Sequence, residues 1–161
     1  MGVFCLTEKS DNLLMWSHYA DRHRGFCIEF NGLKLNDFIL IKSRKEKPIS
    51  LLDVVYNKEL PSIPMGNKAV DLDDLLKFLR TKYEGWKYED EWRIIATERP
   101  NESIKIPNGI ITSIRLGLLV KENDIYKIIT CLRDKPESKI KLFRAKRKFS
   151  EYGLEFEEIH Y

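Results

Sequence analysis

The sequence predicts an α+β fold, with about three helices packed against a mostly antiparallel, split sheet. Apolar residues recur at helical spacing in three stretches, which begin near residues 11, 71 and 123. Short runs rich in aromatic and β-branched residues lie between these stretches and predict strands. Turn-forming residues such as Asn31-Gly32 separate the two kinds of segment.

The first half of the chain begins with a short buried strand at residues 3–6. A helix follows at 11–24, capped by Ser10 or Asp11 and stopped by Gly25. A strand covers 26–30. The segment 34–48 is ambiguous, and a strand at 38–41 is one interpretation of it. Residues 51–56 predict the next strand.

The second half starts with a helix from Asp71 or Asp73 to about residue 83, interrupted by Gly85. A meander of three strands is predicted at 92–97, 104–106 and 111–116. A helix capped by Asn123 or Asp124 then runs to residue 132. Apolar residues that alternate with charged ones predict two last strands, around 140–145 and 152–156.

Composition favours one soluble domain over residues 1–161. The chain is 43% hydrophobic and 33% charged, which is typical of globular proteins. It has neither an apolar run of the ~18 residues that a membrane span requires nor a signal peptide, so a cytoplasmic protein is expected. The cysteines and histidines lack metal-ligand spacing, and no metal site is predicted.

A basic segment precedes the C-terminus, although the net charge is only +3. It is interpreted either as a solubilising edge strand or as a surface that contacts RNA, DNA or an acidic partner. Its cations are Lys139, Lys141, Arg144, Lys146, Arg147 and Lys148.

An acidic and aromatic stretch covers residues 82–96. Glu89 and Glu91 are two residues apart, so in extended backbone both project to one side while Asp90 points away. Paired carboxylates next to aromatic rings are typical of glycosidic chemistry, in which one stabilises positive charge and the other orients the acceptor. The alternative is an ordinary edge strand whose acids are paired with Lys82, Lys87 and Arg93.

The first helix carries a second set of polar candidates, Ser17, His18 and Tyr19. His18 could donate a hydrogen bond to a ligand sugar or phosphate, and Tyr19 could stack on a planar ring. Both residues also fit ordinary packing or solvent exposure. Glu29, in the strand at 26–30, is interpreted either as a site residue or as a solvent-facing acid.

Several blocks of the chain resemble the bacterial domain-of-unknown-function family 2971. Relative to that family the chain looks N-terminally truncated, because members usually carry a further strand and turn before the first block. The blocks are Phe4-Cys5-Leu6-Thr7-Glu8, residues 11–20, residues 25–30, Trp86-Lys87-Tyr88-Glu89-Asp90-Glu91-Trp92-Arg93 and Ile114-Arg115-Leu116-Gly117.

The order of elements is also similar, more weakly, to ADP-ribosyltransferases. This resemblance implies that NAD is the substrate, that Glu91 is the catalytic glutamate and that Glu89 orients the acceptor. The Arg or His that such enzymes place on their first strand has no match here. In this resemblance Ser17 braces the NAD-binding cleft, and either Tyr19 or Tyr88 stacks on nicotinamide. His18 and Trp86 are the other implied NAD-binding residues.

The implied acceptor is a protein or a nucleic acid, and the implied setting is a phage-defence or toxin system. The alternative is a non-catalytic binding or neutralising module. Such a module would use the basic strand at 139–148 to contact nucleic acid or an acidic partner protein in that system.

Overall fold

The computed structural model describes residues 1–62, 71–98, 102–135 and 139–161, and these form an α+β fold. The helices are α1 (Leu13–Tyr19), α2 (Gly32–Lys45), α3 (Leu72–Arg80), a 3-10 helix (Glu84–Glu89) and α4 (Glu122–Arg133). The strands are β1 (Gly2–Thr7), β2 (Phe26–Phe30), β3 (Ile49–Asp53), β4 (Val55–Asn57), β5 (Thr81–Tyr83), β6 (Glu91–Ala96), β7 (Ile111–Leu116), β8 (Lys141–Arg147) and β9 (Leu154–Ile159).

The chain divides into two compact units, one formed by residues 1–8 and 39–102 and the other by residues 9–38 and 103–161. The first unit contains a three-stranded antiparallel sheet in the order β1-β6-β3 and a parallel pair, β4-β5. In the pairing of β1 with β6, Thr7 lies opposite Glu91 and Cys5 lies opposite Arg93. Polar residues of two strands therefore share one face at this end of the sheet.

The second unit contains a four-stranded sheet in the order β2-β7-β8-β9, with β7 and β8 parallel. The crossover between the parallel strands is α4, whose Ile125 and Leu132 pack with Leu116 of β7 and Leu142 of β8. A second apolar cluster joins Trp16 and Ala20 to Ala145 and Leu154. Helices thus supply apolar cover to this sheet, as an α+β architecture requires.

The predicted strand at 38–41 is wrong, because these residues belong to α2. Leu35 and Ile39 are buried at 4% and 3% exposure, and residues four apart lie on one helix face. Asn31 begins the helix by accepting a hydrogen bond from the Lys34 N–H at 3.0 Å. Tertiary burial of this stripe therefore outweighs the β preference of the Phe38–Ile41 run.

The first helix is shorter than predicted. Its N-cap is Asn12, whose Oδ1 accepts from the Leu14 N–H at 2.9 Å, and it ends at Tyr19 instead of residue 24. Asp21, Arg22 and His23 then have φ values of 45°, 53° and 66°. This left-handed turn is incompatible with continued α-helix.

Three further expectations need correction. The strand at 104–106 is absent, since the described residues 102–107 are irregular, and β6 and β7 lie in different sheets instead of one meander. Strand β1 is not buried, since Val3 and Phe4 are 46% and 53% exposed at a sheet edge. The predicted α+β fold class is confirmed, with four α-helices and one 3-10 helix in the described residues. The sequence also predicts a turn at 99–102 and a loop at 61–67, and both fall largely outside the described residues.

Candidate active site

Glu89 and Glu91 face the same cation, although the backbone between them is not extended as predicted. Glu89 is the last residue of the 3-10 helix, and Asp90 follows in the left-handed conformation with φ 41° and ψ 56°. An aspartate tolerates this conformation better than most residues. The chain then enters β6 at Glu91. The sharp turn at Asp90, and not strand alternation, brings the two carboxylates together.

Lys82 of β5 links the two acids. Its ammonium donates a hydrogen bond to Glu89 and another to Glu91 Oε2, the latter at 2.8 Å. Glu89 is 2% exposed and Glu91 5%. Carboxylates this deeply buried are tolerated only when they are paired and hydrogen-bonded, so Lys82 offsets a large desolvation cost.

Arg93 completes the charge balance of this network. Its guanidinium grips Glu91 with two hydrogen bonds, Nε to Oε1 at 2.7 Å and Nη2 to Oε2 at 3.2 Å. A third donor, Nη1, reaches the backbone carbonyl of Leu79. Such forked pairs fix geometry as well as charge. Glu89, Glu91, Lys82 and Arg93 together, hereafter the carboxylate network, carry two negative and two positive charges.

The carboxylate network holds Glu91 in its ionised form. Burial acts to raise the pKa of Glu91, but the hydrogen bonds from Arg93 and Lys82 outweigh burial and lower the pKa to about 2. For Lys82, burial acts to lower the pKa, and the hydrogen bonds to both glutamates instead raise it. Glu91 is therefore a fixed anion at neutral pH, suited to electrostatic stabilisation rather than to proton donation.

Neighbouring strands hold the backbone of the network in place. The Glu91 N–H donates to the Tyr56 hydroxyl oxygen at 2.8 Å, and the Thr7 hydroxyl donates to the Glu89 carbonyl. The Cys5 thiol hydrogen-bonds Glu91. Although Cys5 is exposed as a residue, partial burial of its thiol, together with the hydrogen bond and the charge of Glu91, raises the pKa of Cys5 to about 11. This thiol is thus protonated and is a poor nucleophile.

A cavity of about 230 Å³ lies beside Glu91 within the first unit. Two of its lining residues are hydrogen-bonded to each other, since Trp92 Nε1 donates to Glu8 Oε1 at 2.8 Å. The cavity combines carboxylates with aromatic side chains, which suits a positively charged planar group. Its lining residues are Glu8, Asp53, Val54, Tyr56, Asp90, Glu91 and Trp92.

A larger cavity of about 470 Å³ lies in the same unit, between β4 and α3. Its lining includes Lys77 and Arg80 as well as apolar residues such as Val55 and Leu76. Arg80 donates to Asp53 Oδ1 at 2.6 Å, and Asp53 lines the smaller cavity. The linings of the two cavities therefore meet at this ion pair.

Two of the predicted NAD-binding aromatics lie next to the carboxylate network. The Lys82 ammonium is 5.2 Å from the ring centroid of Trp86, which is within cation–π range. Trp86 in turn contacts Tyr88, with ring centroids 5.9 Å apart. The structure thus brings Trp86 and Tyr88 together with Glu89 and Glu91.

Ser17, His18 and Tyr19 belong to the second unit. The Ser17 hydroxyl donates to the Leu13 carbonyl at 2.9 Å and lies 3.1 Å from His23 Nε2, so it supports the left-handed turn that ends α1. His18 and Tyr19 are exposed, and their rings form an edge-on pair with centroids 6.3 Å apart. Their predicted contact with NAD stays a prediction.

The other two candidate regions, Glu29 and the basic segment, also contain acid–base pairs. Glu29 accepts from Arg115 Nη2 at 3.0 Å and from the Ser113 hydroxyl. In the basic segment, Lys141 pairs with Glu158, Arg144 with Glu122, Lys146 with Glu157 and Lys148 with Glu151. These lysines and Arg144 are therefore partly neutralised by acids of the same unit.

Among the described residues, no group of three or more His, Cys, Asp or Glu side chains is arranged to hold a metal ion. In the same part of the chain, every helix is too short or too polar to cross a bilayer.

Sequence reasoning identified the acids and two of their cations but missed the residues that complete the site. Lys82 and Arg93 lie close to the acids along the chain and appeared in the edge-strand alternative. Tyr56 and Thr7 were missed because they come from strands 35 and 82 residues away from the atoms that they contact. The order of strands in the sheet, which no local pattern specifies, places them there.

Residues 15–94 match the model of a family described as "Protein of unknown function (DUF2971)". The match includes residues 25–30 and the Trp86–Arg93 block, whereas residues 4–8 and 114–117 lie outside it. No curated protein and no solved structure is significantly similar to the chain. The ADP-ribosyltransferase resemblance has no support from these comparisons. Residues 15–94 contain all four residues of the carboxylate network, whereas the supporting residues on β1 lie outside this range. Over residues 15–94 the chain matches the DUF2971 family, and the predicted resemblance to that family is confirmed there.

Proposed function

We propose that this chain is an ADP-ribosyltransferase-like domain, acting in a phage-defence or toxin system, that binds NAD and transfers ADP-ribose to a protein or nucleic-acid acceptor. The observation that carries the proposal is a permanently ionised glutamate, Glu91, at the edge of a cavity with aromatic walls. In the reaction, the bond between ribose C1′ and the nicotinamide nitrogen breaks, and its electron pair leaves with nicotinamide. The acceptor then uses its own electron pair to bond to C1′, and its proton passes to water.

The charge of Glu91 suits this reaction. The transition state carries positive charge on the ribose, and a fixed carboxylate in a low-dielectric site stabilises such charge strongly. With a pKa of about 2, Glu91 needs no deprotonation before it acts. Glu89 shares Lys82 with it and in this proposal orients the acceptor.

The two cavities suit different parts of NAD. The small cavity, at about 230 Å³, is below the ~300 Å³ at which pockets for drug-sized ligands begin. It would take the positively charged nicotinamide end, next to Tyr56 and Trp92. The larger cavity supplies Lys77 and also Arg80, which is paired with Asp53, and their positive charges would complement the pyrophosphate.

The test measures NAD binding by calorimetry and transfer of labelled ADP-ribose to candidate proteins and nucleic acids. Glu91→Gln should reduce transfer by on the order of a hundredfold, because it removes the stabilising charge. Its NAD affinity should change far less. Glu84→Gln is the matched control, since Glu84 is an exposed acid of the neighbouring 3-10 helix and should leave transfer unchanged.

Wild-type protein that does not bind NAD in the presence of any candidate acceptor would refute the proposal. Transfer by folded Glu91→Gln at the wild-type rate would refute the role of Glu91.

A further inference from the structure

The β8–β9 hairpin ends in an unusual turn. The Lys148 N–H donates to the Gly153 carbonyl at 3.2 Å and closes a loop of residues 149–152. Within this loop Phe149 and Tyr152 are 106% and 104% exposed, as much as in an unfolded peptide. Neither ring contributes packing to the second unit.

A single exposed apolar residue needs no explanation, but two aromatic rings in one short loop do. Turns of this length usually use Gly, Asn, Asp or Ser, which satisfy the local backbone geometry. Phe149 and Tyr152 offer no such advantage and leave large apolar surfaces in water. Their presence indicates that something outside the chain covers them.

The charges next to the rings indicate what kind of partner fits. The Arg147 side chain is exposed and has no hydrogen-bond or ion-pair partner among the residues that the structure describes. Lys148 pairs with Glu151 at 3.2 Å, but both side chains are exposed, and such a pair contributes little and exchanges readily. Two cations therefore directly precede the loop that carries the two exposed rings.

We propose that this hairpin tip, defined by Arg147, Lys148, Phe149 and Tyr152, binds single-stranded nucleic acid. Bases stack on the two aromatic rings, and Arg147 and Lys148 contact phosphates. Aromatic platforms beside cations are the usual means of binding single strands without sequence preference. This surface is independent of the proposed NAD site and of the paired cations on β8.

The composition of the loop favours a nucleic acid over a membrane or an acidic peptide. The Glu151 carboxylate lies in the loop between the two rings, and its insertion into lipid would be costly. Stacked bases, in contrast, leave it in water. An acidic peptide would neutralise the cations but would provide few groups to cover the rings.

The experiment uses the full chain and fluorescence anisotropy with labelled oligo(dT) and oligo(U) at two salt concentrations. The double variant Phe149→Ala/Tyr152→Ala should lose at least about tenfold in affinity. Arg147→Glu should weaken binding and make it less dependent on salt. Tyr126→Ala is the matched control, because Tyr126 is a 68% exposed aromatic on α4 of the same unit and should bind like wild type.

All of these side chains are exposed, so each variant should unfold at the wild-type temperature. The proposal is overturned if wild type fails to bind either oligonucleotide, or if the double variant binds as well as wild type. It is also overturned if only phosphatidylserine vesicles show binding that the double variant loses, which would assign the tip to a membrane surface.

Discussion

Two regions of this molecule are rich in acid–base pairs on strands, and they differ chiefly in exposure. In the carboxylate network, Glu89 and Glu91 are 2% and 5% exposed. In the β8–β9 ladder, formed by the pairs Lys141–Glu158 and Lys146–Glu157, the side chains of Lys146 and Glu157 are 53% and 62% exposed. Carboxylate–cation pairs therefore occur in this molecule both buried and exposed to water.

The difference in exposure decides what each set of charges can do. In the buried network every charge must be satisfied, so the side chains are fixed and the protonation state of Glu91 is set. In the exposed ladder, water and salt screen each pair, and the charges serve mainly solubility. Both regions look like charge clusters in the sequence, and only burial distinguishes a candidate site from a solvated face.

The largest expected effect comes from Lys82→Met, which removes the shared cation while it keeps the length of the side chain. Glu91 would keep its pair with Arg93, whereas Glu89 would lose its ion pair with Lys82. The loss of one partner of a buried pair costs about 3–5 kcal/mol of unfolding free energy. Denaturant unfolding measures this loss.

Lys87→Met is the control for this variant, because Lys87 is an exposed neighbour on the 3-10 helix and should change stability little. If Lys82→Met unfolds at the wild-type denaturant concentration, the carboxylate network is not stabilised by Lys82.

The next effect is a dependence of stability on acid. Folding lowers the pKa of Glu91 from 4.5 to about 2. The contribution of ionised Glu91 to the free energy of unfolding is therefore fully present above pH 4.5 and is lost as the pH falls toward 2. The shift corresponds to roughly 3 kcal/mol. In the wild-type protein, the free energy of unfolding should fall as the pH is lowered from 4.5 toward 2. It should fall less steeply in Glu91→Gln, and equal slopes in the two proteins would contradict the assigned pKa.

The sequence predicted the fold best where local patterns and burial agree. Strands β2 and β7 have the predicted bounds, because their β-branched and aromatic residues lie between clear turns. Helix α2 was missed because the run Phe38–Ile41 has strand composition, while the decisive fact is the burial of Leu35 and Ile39 on one face. That burial depends on the tertiary structure, which a local window does not contain.

The candidate site was predictable to a similar extent. The spacing of Glu89 and Glu91 predicted that the two carboxylates lie on one side. Lys82 and Arg93 were named as their partners, together with Lys87, only in the edge-strand alternative. The left-handed Asp90 was not predictable, because the motif equally fits an extended strand. Nor was Tyr56, which reaches Glu91 only because β4 pairs with β5.

The smallest effect belongs to the exposed ladder and completes the comparison. Lys146→Ala removes the pair with Glu157, yet exposed pairs contribute about 0–1 kcal/mol. Its effect on unfolding free energy should be at most this large and should vanish in about 1 M salt, where charges are screened beyond ~3 Å. The destabilisation of Lys82→Met should persist in the same salt, because Glu89 and Glu91 are almost fully buried. A loss in Lys146→Ala as large as that in Lys82→Met would mean that exposure does not separate the two regions.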